Sequence, residues 1–409
     1  MGLKTKYQYT YFIYPFVVKE SKYAKYLLKM LKDEHTHLKI FEKEKDLQIY
    51  QYFLPKVSEF MFSSFYATKE KLKKLEELPQ DTKAALLSEQ PCTIFEYHLN
   101  KDPQGKIQEN SIFFKIQKIE IICFKTGICF LTMKTNIEDS TDFADVLNFN
   151  YKFKDIPKGE LGIGGDNIHL QTDVFSDMSK LSEFIEGITG SKVETLKLDV
   201  DTQRFLSYSY VCVDQQSWGA QKEFENIEQS YIKFSNFLAL DNNIHYENNQ
   251  TDTYSKWKYA KIGVSKQGIS LFASDADMNN YTVLPHDFEG IYLYTYILNL
   301  YKKIYLKKLE LEFRKGENAN RLRKKFVEFT KKLWVQEVTE DEVGTWLNQK
   351  LMRTLEIDRL YAELKNQYDV IYKNMRVEKN TRITLGLIFI LGITLLVQMI
   401  SLMKYFNGF

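Results

Sequence analysis

Ile383 to Met403 is a run of 21 residues without one charged side chain. As an α-helix it spans about 31 Å, which matches the roughly 30 Å hydrocarbon core of a bilayer. Such a helix is apolar on every face, so it must lie in a protein core or in lipid. Its uniform apolarity and its charged flanks favour lipid. Arg376, Lys379 and Arg382 precede the run and only Lys404 follows it. The positive-inside rule then puts the N-terminal body in the cytoplasm, with one pass through the cell (inner) membrane and residues 404–409 as a short far-side tail.

The run is not wholly greasy. Thr394, Gln398 and Ser401 follow i, i+4, i+7 spacing and share one helix face. An amide in lipid requires a partner, so Gln398 favours association of helices. Two readings stand: the stripe is glue between helices, or it lines a pore in a homo-oligomer.

Upstream, Thr339-Glu340-Asp341-Glu342 has the form of a capping box. No proline follows it, and the reading is one helix from there to Met403, about 64 residues and on the order of 95 Å. Within it Ile357, Tyr361, Leu364, Tyr368, Ile371 and Met375 are spaced 4-3-4-3-4, a heptad seam. The seam packs either on the chain's own preceding helices or on copies of itself. Two more helices are expected before it, Ile291 to Phe313 and Arg321 to Val338, joined by a turn at Gly316-Glu317-Asn318. Residues 286–382 therefore read as a helical neck, 383–403 as the span.

The rest, residues 1–285, reads as a cytoplasmic α/β (α+β) body. Mean hydropathy of −0.37 places most of the chain in water. Strands are expected at Tyr7 to Val18, Ser111 to Phe124, Ile128 to Thr135 and Phe205 to Val213, with a second hairpin at Tyr259 to Val264 and Ile269 to Ala273. Helices are expected at Ser21 to Leu31, Thr141 to Phe149, Met178 to Ile188 and Gln221 to Phe237. The turns Lys125-Thr126-Gly127 and Lys266-Gln267-Gly268 sit in similar hairpins, and each follows a tyrosine-rich strand. This suggests two related halves, 1–150 and 195–285.

Charge is unevenly placed. The net charge is +2, yet residues 302–332 hold 12 Lys/Arg against 4 Asp/Glu. The band reads as a solvated helix face or as a surface for an anionic partner. Cys92, Cys123, Cys129 and Cys212 lie in or at apolar runs with no Cys-x-x-Cys pair, so they read as core residues in a reducing compartment. No signal peptide is expected at Met1 to Thr10.

Chemistry is sparse. His35-Thr36-His37 lacks a third ligand, so no metal site is expected. Walker A, His-Glu-x-x-His and Gly-x-Ser-x-Gly patterns are missing from the sequence, and the chain is not expected to be an enzyme. The richest loop is Gly159 to Asn167. Its Gly162, Gly164 and Gly165, with Lys158 beside them, have the composition of a phosphate cradle or of a plain connector.

The neck and span resemble a known pattern. Serial helices, with an aromatic stretch Tyr292 to Tyr301, lead into a long helix, Tyr361 to Met375, which enters the membrane through Arg376 to Arg382. This resembles the CorA superfamily of divalent-cation channels and, more narrowly, the divergent CorA-like membrane proteins that accompany type III CRISPR systems. The Gly-Met-Asn motif of CorA proteins is not matched at Tyr405 to Phe409, and one span stands where they have two. The resemblance implies an oligomeric membrane effector in prokaryotic antiviral defence. It would be gated by a cytoplasmic nucleotide messenger, with a divalent cation as a candidate permeant ion and no resident cofactor. Its partners would be the lipid bilayer, copies of itself and a small nucleotide, with no direct DNA or RNA binding. The other reading is a membrane-tethered adaptor without a pore.

Overall fold

The computed structural model describes residues 2–99, 104–107, 112–138, 140–154, 168–171, 179–190, 205–219, 224–242, 251–315, 319–334 and 337–406. They form two compact units, Met1–Tyr305 with Lys332–Ile357, and Leu306–Lys331 with Asp358–Phe409.

The first strand, β1 (Thr5–Val17), is aromatic or β-branched at nearly every position, and both of its faces are buried. A strand of that kind needs cover on both sides. It sits inside one sheet with β2 (Thr36–Lys39), β3 (Cys92–Tyr97), β4 (Gln104–Ile107), β5 (Ile112–Phe124), β6 (Ile128–Ile137), β7 (Ile168–Gln171), β8 (Ser179–Lys180), β9 (Leu206–Val213), β10 (Asp252–Tyr254), β11 (Ala260–Ser265) and β12 (Gly268–Ser274). The order is β10-β11-β12-β9-β1-β6-β5-β4-β7-β8, and β2 and β3 branch from β5. Every described pairing is antiparallel except β9 with β12. Pro15 lies past Ile13↔Leu206, the last β1–β9 pair, and a strand edge tolerates its missing donor.

Helices fill in between. They are α1 (Tyr23–Lys32), α2 (Leu47–Tyr52), α3 (Pro55–Met61), α4 (Lys69–Glu76), α5 (Gln80–Glu89), α6 (Phe143–Phe153), α7 (Leu181–Thr189), α8 (Gln215–Gly219) and α9 (Phe224–Ser235). After β12 come α10 (Asn279–Thr282), α11 (Leu284–Asp287), α12 (Leu293–Arg314), α13 (Ala319–Lys332), α14 (Glu342–Thr354) and α15 (Ile357–Phe406). One sheet face carries Phe12, which stacks on Phe153 of α6 at 4.0 Å, and Thr10, which donates to Asn150 of the same helix. The other face carries Tyr9 and Tyr11, paired in register with Tyr210 and Tyr208. The Tyr9 and Tyr210 rings stack at 5.3 Å. Three of these four hydroxyls donate to backbone carbonyls, Tyr9 to Pro285, Tyr208 to Phe288 and Tyr210 to Asn280. That row of phenols fixes the segment leading into α12. All four cysteines are buried free thiols.

Two expectations about the chain path change. The helix expected to run unbroken from Thr339 is two helices. Asp341, not Thr339, caps the first by accepting from Gly344 N at 2.8 Å. That helix closes at Leu355, and Glu356 turns left-handed with φ of 57°. The break carries no glycine or proline, the residues that usually mark one. The preceding helix stops at Lys332 rather than Val338. The two hairpins do occupy matching places in the strand order, outside β1 and β9. Yet β6 runs antiparallel to β1 while β12 runs parallel to β9, so the chain between 195 and 285 does not repeat the strand polarity of 1–150.

Candidate functional site

Residues Asn380–Met403 of α15 form a helix long and apolar enough to cross a membrane, and none of it is buried. Phe389 is 71% exposed and its apolar neighbours are similarly bare. Within this stretch the Thr394 hydroxyl donates to Ile390 O at 3.0 Å and Leu391 O at 2.8 Å, so it is satisfied by its own helix. Gln398 and Ser401 lie on the same exposed side, and neither side chain has a hydrogen-bond partner among the described residues. A carboxamide left so in hydrocarbon costs several kcal/mol, roughly, and Gln398 is the one amide within the uncharged run Ile383 to Met403, so it demands an outside partner.

The seam of α15 sits further toward its start. Ile357 and Leu364 are buried. The Tyr361 ring stacks on Phe326 of α13 at 5.6 Å and its hydroxyl lies 3.4 Å from Thr330 Oγ1. Tyr368 meets the same Phe326 at 5.2 Å. The two seam tyrosines thus pack on the chain's own preceding helix. Ile371 and Met375 continue the spacing along the helix, with side chains outside the described residues.

A second constellation lies in the body, between the sheet and α12. Lys39 Nζ sits 2.7 Å from both Glu120 and Glu96, Lys118 Nζ is 3.2 Å from Glu120, and the Tyr294 hydroxyl of α12 donates to Glu120 at 3.3 Å. Burial opposes the Glu120 carboxylate, yet the ammonium groups of Lys118 and Lys39 outweigh it and hold the acid below the ordinary carboxylate range. Burial likewise opposes the Lys39 charge, but Tyr294, Glu120 and Glu96 prevail and raise it above the usual lysine value. A π-helical turn, Phe288–Tyr292, precedes α12 and carries Glu289. Glu289 accepts from Tyr11 Oη at 2.7 Å and pairs with Lys134 at 2.6 Å. Its acid is also held low: burial is outweighed by Lys134, Tyr11 and Lys118.

The arrangement is an ionic clamp. Three lysines (Lys39, Lys118, Lys134) face three glutamates (Glu96, Glu120, Glu289), so the charge is balanced within the group. Its partners come from β1, β2, β3, β5 and β6 on the sheet side and from the π turn and α12 on the other. The clamp ties the root of α12 to the sheet. The signal in the sequence was a glutamate amid Ile119, Ile121 and Ile122, inside an apolar strand. A charged residue at such a position must find a partner when the strand is buried.

Other expected sites fall differently. Lys158, Gly162, Gly164 and Gly165, with the whole loop Gly159 to Asn167, lie outside the described residues. Lys154, upstream of that loop, is buried and donates to Phe237 O at 2.9 Å. His37 stacks on His98 at 4.8 Å on the exposed sheet edge. Among the described residues, no group of three or more His, Cys, Asp and Glu side chains is placed to hold a metal ion. Comparison with protein-family models, with curated proteins and with solved structures gives no match to this chain.

Proposed function

We propose that this chain is an oligomeric membrane effector of CorA-like organisation, in which α15 crosses the bilayer and helices from several copies meet around Gln398. One observation supports it above the others: a fully exposed apolar helix carries an amide with no partner among the described residues. Exposed apolar surface on that scale calls for lipid or for other copies, and the amide calls for another helix. The cytoplasmic body acts as the sensor, and α12, rooted in the ionic clamp, carries its state toward the neck. Gating by a nucleotide messenger, and a role in antiviral defence, rest on the resemblance of Tyr292 to Tyr301 and Tyr361 to Arg382 to the CorA-like proteins beside type III CRISPR systems. A ligand opens such a device only if it prefers one arrangement of the body over another.

The test is leakage of ions or dye from vesicles holding the full chain, with cyclic oligonucleotides added as probe. Probe-dependent leakage that is lost in Gln398→Leu, with insertion into the vesicles unchanged, is the expected result. Unchanged leakage in that variant removes Gln398 from any pore. No leakage under any probe, from a chain that sediments as a monomer in detergent, overturns the effector reading in favour of a membrane-tethered adaptor.

A further inference from the structure

The basic band falls on α12 and α13, and its charge gathers where the end of α12 lies beside the start of α13, the tip of the pair. Lys325 of α13 pairs with Glu312 of α12 at 2.9 Å, which sets the end of α12 beside the start of α13. Arg314, Lys315, Arg321, Arg323 and Lys324 lie at that end, all exposed. Glu310 pairs with Arg314, and Glu312 pairs with Lys325. Between Lys315 and Arg321 the sequence holds one acid, Glu317, so positive charge predominates from 314 to 325.

Packing fixes the height of this tip along α15. Phe329 and Thr330 lie against Tyr361, while Phe326 touches both Tyr361 and Tyr368. α13 therefore runs antiparallel to α15, and its basic start points toward the apolar end of that helix. Phe326 is level with the midpoint between the two tyrosines, so five residues of rise put Arg321 level with about residue 370. The uncharged run begins at Ile383, roughly 20 Å further on. The headgroup layer occupies about 5–7 Å of that distance. What remains, about 13 Å, is what an extended arginine side chain and one Debye length at physiological salt span together. Arg376, Lys379 and Arg382 lie along the same interval of α15.

We infer that the tip of the α12–α13 hairpin docks on the anionic headgroups of the membrane that α15 crosses. This rests on the membrane reading above. The occupant is a lipid surface because the apolar helix fixes where a bilayer must be, and the tip faces it with clustered positive charge. Such charge near an anionic leaflet is attracted over about a Debye length. The contact would brace the hairpin, so that the composition of the leaflet biases the neck.

The experiment places the full chain in nanodiscs of phosphatidylcholine alone, and in nanodiscs with about 30% phosphatidylglycerol, an anionic fraction large enough to set up the surface potential such clusters sense. A water-soluble acylating reagent then reports the reactivity of Lys315 and Lys324, read by peptide mass spectrometry against lysines of the body. Acylation of both lysines is expected to slow at least about threefold in the anionic discs, with the slowing abolished in 0.5 M salt, where the Debye length is only a few Å. The triple variant Arg314→Gln, Arg321→Gln, Arg323→Gln should lose the slowing, and the Arg→Lys triple should keep it. Circular dichroism and body reactivity identify a variant that has not folded, and the wild-type comparison decides the matter without it. Insertion into both discs with equal reactivity overturns the docking and leaves the membrane reading intact. Failure to insert into either disc overturns both. Slowing by added RNA in neutral discs, but none by anionic lipid, reassigns the tip to nucleic acid and overturns the lipid contact.

Discussion

Lys39, on β2, reaches across the intervening strand β3 to Glu120, on β5, and holds it at 2.7 Å while Glu120 is 1% exposed. A buried carboxylate of this kind is tolerated only with its partners in place. Lys39→Ala is therefore expected to destabilise the body by about 3 kcal/mol, because it strands a charge. The double variant Lys39→Met with Glu120→Leu should recover part of that loss, since the fully buried carboxylate is gone and the partners left over, Glu96 and Lys118, are partly exposed. Urea midpoints at neutral pH measure both, and equal losses in the two variants would show that charge is not the cause.

The same cluster sets a dependence on acid. Glu120 and Glu289 are held below the ordinary carboxylate range when folded. Depressed acids contribute stability that is fully present above their unfolded value, about 4.3. That contribution fades as the pH falls through the lower folded values. Urea midpoints should thus be flat from neutrality down to about pH 5 and fall steeply below about pH 4.3. Glu120→Gln with Glu289→Gln should flatten the fall, and an unaltered acid limb in that variant would move the effect to other groups.

Gly127 closes the β5–β6 turn with φ of 81°, and a Cβ there would meet Val18 O at 2.0 Å. Its N–H and C=O are both engaged, by Phe124 and Val18. Gly127→Ala is expected to cost about 2 kcal/mol or more, combining a left-handed backbone with a backbone clash. Thermal melting of the variant tests this, and a melting point unchanged within a degree would contradict the packing at this turn.

Both seam tyrosines touch the Phe326 ring. Phe326→Ala should weaken the hold of α13 on α15 by about 3 kcal/mol. Amide exchange in 319–332 should quicken by a hundredfold or so, since each 1.4 kcal/mol is about a factor of ten. Protection unchanged in that segment would mean that the contact does not hold the helix.

Gln398→Leu should loosen the association of copies in mild detergent by about 1 kcal/mol, the scale of one interhelical polar contact. Thr394→Val should matter less, because that hydroxyl is already satisfied by its own helix. Sedimentation over a range of detergent concentrations distinguishes the two, and equal effects would contradict the special place given to the amide.

Periodicity carried much of the architecture. β1, the β5–β6 hairpin, α6, β9, α9 and the second hairpin fall within a few residues of their expected places, because buried strands and amphipathic helices write their burial into alternation. The apolar stretch of α15 was plain for another reason, its uniform apolarity over the length of a bilayer span. The break at Glu356 was not, since a left-handed glutamate depends on packing around it and leaves no composition signal. Strand polarity was also hidden: the similar turns at Gly127 and Gly268 specify hairpins, but not which way a hairpin lies beside β1 or β9. The ionic clamp drew residues 39, 96, 118, 120, 134 and 289 from five separate segments. A lone glutamate in an apolar strand announces a need for partners without naming them.

The centre of the sheet has a consequence for how the chain is made. Thr10 of β1 bonds to Thr135 and Ser209, partners 125 and 199 residues further along. β1 thus leaves the ribosome well before either of its neighbours, and the loop-closure entropy must be met before those pairs form. Until then a thirteen-residue aromatic strand stands with both edges open. Nascent chains of this protein should accordingly depend on holdase chaperones until β9 has emerged, well before the apolar stretch of α15 is synthesised.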